Sequence, residues 1–158
     1  MRPQSLSSPF QSGPTVPHWV NRIVAGLLRS PFHELLSRTT MLLTFTGRTS
    51  GRRYTIPVRY LRTNETLLTL TDSPWWRNLR GGVPVDLSIA GQNMRGRAEV
   101  NTDPDDVEQA ICSMLRQLPS DARFYQIHLD RHGLPDMASL KRAAQIHVLI
   151  MIQLEHSA

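Results

Sequence analysis

One cysteine, Cys112, stands in 158 residues, so no internal disulfide can form, which fits a reducing, cytoplasmic setting. Lysine is almost as scarce: Lys141 is the single lysine among 18 basic residues, so the use of arginine elsewhere says little about planar-fork recognition. No apolar run is long enough to span a bilayer, because the best one, Val16 to Leu28, is broken by Asn21 and Arg22. The first fifteen residues are polar and proline-bearing, without the basic start and apolar run of a secretory signal. Catalytic and metal signatures are missing too. There is no Gly-x-Ser-x-Gly elbow and no nucleotide P-loop. His128 and His132 have helical chelate spacing, but no Glu follows the first, and no cysteine pair or third ligand accompanies them, so no metal is expected. Internal repeats and low-complexity tracts are absent. Disorder is excluded by an ordinary globular composition, 40% hydrophobic and 20% charged.

The charge that is present is unevenly placed. The formal net charge is +5, and between Arg48 and Arg97 nine arginines face three acids, Glu65, Asp72 and Asp86. From Glu99 onward the balance reverses, with nine acids against five bases. A local basic field of this kind favours an anionic partner such as phosphate, carboxylate, nucleic acid or acidic lipid.

Residues 1–15 read as a frayed tail, and 16–158 as a single domain. Val16, Trp19, Val20, Ile23, Val24, Leu27 and Leu28 recur at helical spacing, making residues 16–38 an N-terminal helical segment kinked at Pro31. It either packs over the core or, through residues 16–36, makes a peripheral membrane contact. Short strands follow: Thr40 to Thr46, an alternating strand from Tyr54 to Tyr60, and Thr66 to Thr71 beyond a turn at Arg62 to Glu65. Pro74 opens a helical turn to Leu79, and Val85–Ile89 and Met94–Val100 are the fourth and fifth strands. Asp103-Pro104-Asp105-Asp106 starts a helix running to about Gln117, since cap, proline and acids suit its positive end. Phe124 to Leu129 has no clear period. Asp136 to Ala144 reads as a helix, and Ile146, Val148, Ile150 and Ile152 as a last buried strand. Five or six short strands make this an α+β protein, a small antiparallel barrel with a helix in front and one or two after the fifth strand.

Two motifs carry chemistry. The turn Gly47-Arg48-Thr49-Ser50-Gly51, followed by Arg52 and Arg53, offers backbone amides, two hydroxyls and guanidiniums that can surround an anion. The same residues also make an ordinary solvated basic hairpin. Trp75 and Trp76 stand side by side on one helical turn and cannot both face one core, so one is free to line a ligand or a subunit contact.

Taken in order, Leu42-Leu43-Thr44-Phe45-Thr46, the basic turn, Thr55-Ile56-Pro57-Val58, Arg59-Tyr60-Leu61 and Pro74-Trp75-Trp76-Arg77-Asn78-Leu79 resemble the deazaflavin-dependent nitroreductase family. The resemblance runs from about Thr40 to Val100, and more weakly to the last strand. It implies a split β-barrel of the FMN-binding-like type and a reduced deazaflavin, F420, whose anionic tail lies on the basic turn. By the same resemblance Arg48, Ser50 and Gly51 match the tail-binding turn, joined by Thr49, Arg52 and Arg53. Pro57 and Val58 run under the ring, Thr71 and Ser73 approach the ring and phosphate, and Trp75 and Asn78 match the family's tryptophan and asparagine. Tyr125 corresponds to a substrate-side tyrosine. The sequence departs from the family where Thr49 replaces a lysine, where Tyr54 replaces an arginine, and where the loop before Trp75 is shortened to Asp72-Ser73-Pro74. The implied activity is hydride transfer to a planar, electron-poor small-molecule acceptor such as a quinone, nitroaromatic or enone, and such barrels often form homodimers. The alternatives are FMN in place of F420, or a binding module without catalysis: a heme or lipid carrier, or a single-stranded nucleic-acid binder, against which the clustering of the aromatics in one short helix counts.

Overall fold

The computed structural model describes residues 39–155. The tail and N-terminal helix expected over residues 1–38 lie outside this span. Seven strands form one sheet: β1 (Thr40–Thr46), β2 (Arg53–Arg59), β3 (Leu61–Thr63), β4 (Thr66–Thr71), β5 (Val83–Ile89), β6 (Gln92–Asn101) and β7 (Val148–Leu154). Every pairing is antiparallel and the spatial order is β2-β1-β5-β6-β7-β4-β3. Among the described residues two helices, α1 (Pro104–Gln117) and α2 (Met137–Ile146), and two 3-10 helices, Pro74–Leu79 and Pro119–Tyr125, accompany the sheet. The α+β antiparallel barrel expected from the sequence is borne out.

Alternation along the strands makes two cores. Met41, Leu43 and Phe45 of β1, Val85 and Leu87 of β5, and Ile150 and Ile152 of β7 point into the curled sheet, where Trp75 and Leu79 close one end. On the other face Leu68, Leu70, Leu149 and Met151 meet Val107, Ile111 and Leu115 of α1 and Leu140 and Ala143 of α2. The start of α1 follows the sequence signal: the Asp103 carboxylate accepts from the amides of Asp105 (2.9 Å) and Asp106 (3.2 Å), with Pro104 at the first helical position.

Two expectations are corrected. The second strand does not continue through Tyr60. It stops at Arg59, and Leu61–Thr63 forms a separate strand paired with β4, so the expected turn shrinks to Asn64-Glu65, with Asn64 at φ 55°. The reason is topological. β2 and β3 are consecutive in sequence but lie on opposite edges of the sheet, so the chain must step across the gap at Tyr60, which is buried and donates its amide to the Thr39 carbonyl at 3.0 Å. Ile146, expected in the last strand, is instead the final residue of α2, more than half exposed, and the strand begins at Val148. The unassigned stretch after Phe124 is the end of a 3-10 helix, closed by Gln126 at φ 55°.

Candidate functional site

The basic turn joins β1 to β2, with Thr46 paired to Arg53. Gly47 is buried at its base: its amide donates to the Arg52 carbonyl (2.7 Å) and its carbonyl accepts from Gly51 (2.9 Å). A β-carbon at Gly47 would come within 2.5 Å of Ser50 Oγ and 2.7 Å of the Tyr54 ring, so glycine is required for the turn to close. Ser50 Oγ lies 3.0 Å from the Tyr54 hydroxyl and accepts from the Arg52 amide at 3.3 Å. The Arg48 amide donates to Asn78 Oδ1 (3.0 Å).

These bonds correct the sequence reading. The amides of Gly47, Arg48, Gly51 and Arg52 are satisfied within the protein and do not form an open cradle for an anion. Arg53 points elsewhere, its guanidinium 2.5 Å from the Asp86 carboxylate, whose other oxygen lies 3.5 Å from Arg95. What the turn presents to solvent is the exposed Thr49 and the guanidiniums of Arg48 and Arg52, which have no salt-bridge partner among the described residues.

Asn78 connects this turn to the 3-10 helix. Its Oδ1 holds the Arg48 amide while its Nδ2 donates to the Trp75 carbonyl at 3.0 Å. Both adjacent tryptophans reach the same core, against the expectation that they could not, Trp75 inside it and Trp76 packed against it. Trp75 is 3% exposed and stacks on Phe45, with ring centroids 5.7 Å apart. Trp76 is half-buried and lies under the guanidiniums of Arg80 (4.6 Å) and Arg77 (5.6 Å).

Behind Trp75 the sheet does not close. At the seam, where the end of β2 approaches the end of β4, lies a cleft of about 300 Å³. Pro57, Val58, Thr71, Ser73, Trp75 and Tyr125, six of the residues singled out in the sequence, line it together. They come from three separate stretches of chain, 57–58, 71–75 and Tyr125. The Ser73 amide is already bound to Thr71 Oγ1 (3.0 Å), so the backbone there is not an open phosphate donor. Arg59, Phe124 and His147 also line the cleft and were not foreseen as site residues. Arg48, Thr49, Ser50, Gly51, Arg52 and Asn78 lie outside the cleft wall, linked to it through Asn78, and Arg53 is not brought to it.

Below the cleft sits an ionisable group that carries no sequence signal. Asp121 is fully buried, and among the described residues neither carboxylate oxygen has a hydrogen-bond partner; Arg59 lies 3.4 Å away. Arg59 in turn donates to Thr39 Oγ1 at 2.7 Å. Burial pushes the Asp121 carboxyl above its ordinary value of 3.8, and the nearby Arg59 and Arg123 only partly offset this. Burial, reinforced by the Asp121 charge, pushes the Tyr125 phenol up to about 12. That phenol keeps its proton throughout the neutral range, so it serves as a hydrogen-bond donor and is a weak acid.

A stability prediction follows from Asp121. Because folding favours its protonated form, its contribution is present below pH 3.8 and is lost as pH rises through the higher folded value. Asp121→Asn should remove that loss. Urea melts across the acidic range should show a flatter pH dependence for the variant, and parallel curves for the two proteins would refute the assignment.

Solved structures share this arrangement of strands. A proposed 5-nitroimidazole antibiotic resistance protein from Bacteroides thetaiotaomicron VPI-5482 superposes with a TM-score of 0.53 at 15% identity, covering 86% of this chain and 80% of its own. A proposed pyridoxamine 5'-phosphate oxidase from Listeria innocua gives 0.50 at 16% identity, covering 87% and 94%. The fold is the split barrel of flavin-binding-like proteins. No family model matches the sequence, and no curated protein matches it either. In this split barrel the seam cleft is the opening between the two edges of the sheet. Among the described residues no helix is long and apolar enough to cross a membrane, and no group of three His, Cys, Asp or Glu could hold a metal.

Proposed function

We propose that the chain is an oxidoreductase that lays the ring of a reduced deazaflavin, F420, in the seam cleft and passes its electrons to a planar, electron-poor acceptor. The observation that carries this reading is the convergence of Pro57, Val58, Thr71, Ser73, Trp75 and Tyr125 on one cleft, together with the Asn78 bridge from that cleft to the basic turn. The residues fit the group. Pro57, Val58 and Trp75 offer apolar surface for a flat ring, and the size of the cleft is at the lower end for small-molecule sites. With the amides of Gly47, Arg48, Gly51 and Arg52 occupied, the guanidiniums of Arg48 and Arg52 hold the anionic tail by charge-assisted contact.

When bound, the reduced deazaflavin supplies a hydride, which with one proton from water converts a quinone to a hydroquinone. The chain's own part is to fix both flat molecules and donate a hydrogen bond from the Tyr125 hydroxyl to the acceptor. FMN is the second reading, favoured by Thr49 standing where the deazaflavin family has a lysine and by the shortness of the loop before Trp75.

Titration with oxidised F420, followed by its fluorescence, should give saturable binding at micromolar cofactor, with FMN as the parallel arm. The double change Arg48→Ala, Arg52→Ala should weaken binding about a hundredfold, since each lost charged contact at an exposed site costs about 1.5 kcal/mol, the lower end for hydrogen bonds to charged groups. Absence of F420 binding by the native protein at micromolar cofactor would overturn the deazaflavin reading.

A further inference from the structure

A second cavity, of about 530 Å³, adjoins the seam cleft and shares four wall residues with it: Asp72, Phe124, Tyr125 and His147. Its composition differs from that of the cleft. Arg123 and Arg142 line it, with His128 alongside, against a single acid, Asp72. Among the described residues neither guanidinium has a carboxylate within salt-bridge distance. Arg123 instead lies over the Phe124 ring at 4.9 Å, and Arg142 is exposed on α2. Asp121, which faces Arg123 electrostatically, is fully buried and more closely engaged with Arg59. The charge left facing the cavity is therefore positive.

The cavity also has apolar surface that nothing in the described chain covers. Phe124 is 55% exposed and Ile146 56% exposed, and both belong to its wall. Large exposed apolar side chains beside unpaired guanidiniums suit a ligand that is flat and apolar over most of its area and anionic at one end. One ring nitrogen of His147 is already committed: Nδ1 donates to the Ala143 carbonyl at 2.9 Å, and the ring meets Tyr125 edge-on at 5.2 Å. The imidazole and phenol that separate the two cavities thus brace one another where they meet.

We infer that this second cavity is the acceptor site and that it selects an aromatic acceptor bearing a carboxylate. The apolar rim of Phe124 and Ile146 covers the ring system, and Arg142 and Arg123 bind the carboxylate. The acceptor's reducible end then lies at the shared wall, beside the Tyr125 hydroxyl. The acceptor role rests on the oxidoreductase reading above, whereas the preference for an anion rests on the cavity alone.

The test separates the two. 4-Nitrobenzoate and 4-nitrobenzamide are nearly identical in shape and differ in charge, so their binding to the cofactor-free protein can be compared by calorimetry. The native protein should prefer the carboxylate by about tenfold, the equivalent of one charged contact. Arg142→Gln should abolish that preference, while Lys141→Gln, one residue earlier and outside the cavity wall, should retain it. Equal affinities for the two probes, or a preference that survives in Arg142→Gln and in the Arg123→Gln, Arg142→Gln double variant, would overturn the anion site whatever the cofactor result. In a protein that binds F420 and reduces nitro groups, the same ratio should appear in KM. If F420 does not bind but the carboxylate preference holds, the anion site stands and the redox assignment falls.

Discussion

Trp75→Ala is expected to cost about 3–5 kcal/mol, the usual range for removing a large aromatic from a core. The side chain is 3% exposed, stacks on Phe45, and closes one end of the barrel interior while its outer edge forms the cleft. The loss would consume a large share of the stability of an ordinary domain, about 5–15 kcal/mol. Trp75→Phe retains a ring against Phe45 and should recover most of it. Urea unfolding of the three proteins measures the difference. The functional consequence separates from the structural one in the phenylalanine variant, which should fold but bind F420 more weakly because the cleft wall is smaller. A loss below about 1 kcal/mol for the alanine variant would mean that the ring does not close the barrel end.

Gly96→Val is the second large effect. Gly96 sits in β6, the central strand of the sheet, opposite Val85 of β5 on one side and Leu154 of β7 on the other. A β-carbon there would lie 2.6 Å from Ile152 Cγ2 and 2.9 Å from the Gln153 carbonyl oxygen. A flexible side chain could give way, but the second contact is backbone, held in the β6–β7 and β4–β7 ladders. Valine should therefore cost about 3 kcal/mol, the upper end for overpacking. For a chain of this size that lowers Tm by about 6–12 °C, measurable by calorimetry. An unchanged Tm would show that β6 and β7 are further apart than the ladder implies.

Much of this was legible in the sequence, and the reasons can be located. The strands of the barrel announce themselves because Met41, Leu43 and Phe45, or Val85 and Leu87, alternate between a buried and an open face. The α1 boundary was readable because Asp103 and Pro104 act through bonds only two or three residues long. The break at Tyr60 was not readable, since the alternation of Tyr54, Ile56, Val58 and Tyr60 continues smoothly across it. What breaks the strand is the distance between two edges of the sheet, which no local pattern encodes. The same holds at the site. The resemblance singled out Pro57, Val58 and Trp75, which share one cleft, but the fate of the Arg48 amide depends on Asn78, thirty residues away. Asp121 follows a proline and a serine as an ordinary surface acid would. Only packing reveals it as a carboxylate out of reach of water.

The position of β7 has a consequence for how the molecule is made. It is the last of the described strands, yet it lies between β6 and β4 and supplies hydrogen bonds to both. During synthesis from the N-terminal end, β4 and β6 each wait with a bare edge until residues 148–154 emerge. Pairings as remote as Thr66 with Gln153 form only then, so the joining of the β3–β4 hairpin to the rest of the sheet is the late and slow event. A nascent or C-terminally clipped chain offers a slot of one strand's width, which the final strand of another copy could fill.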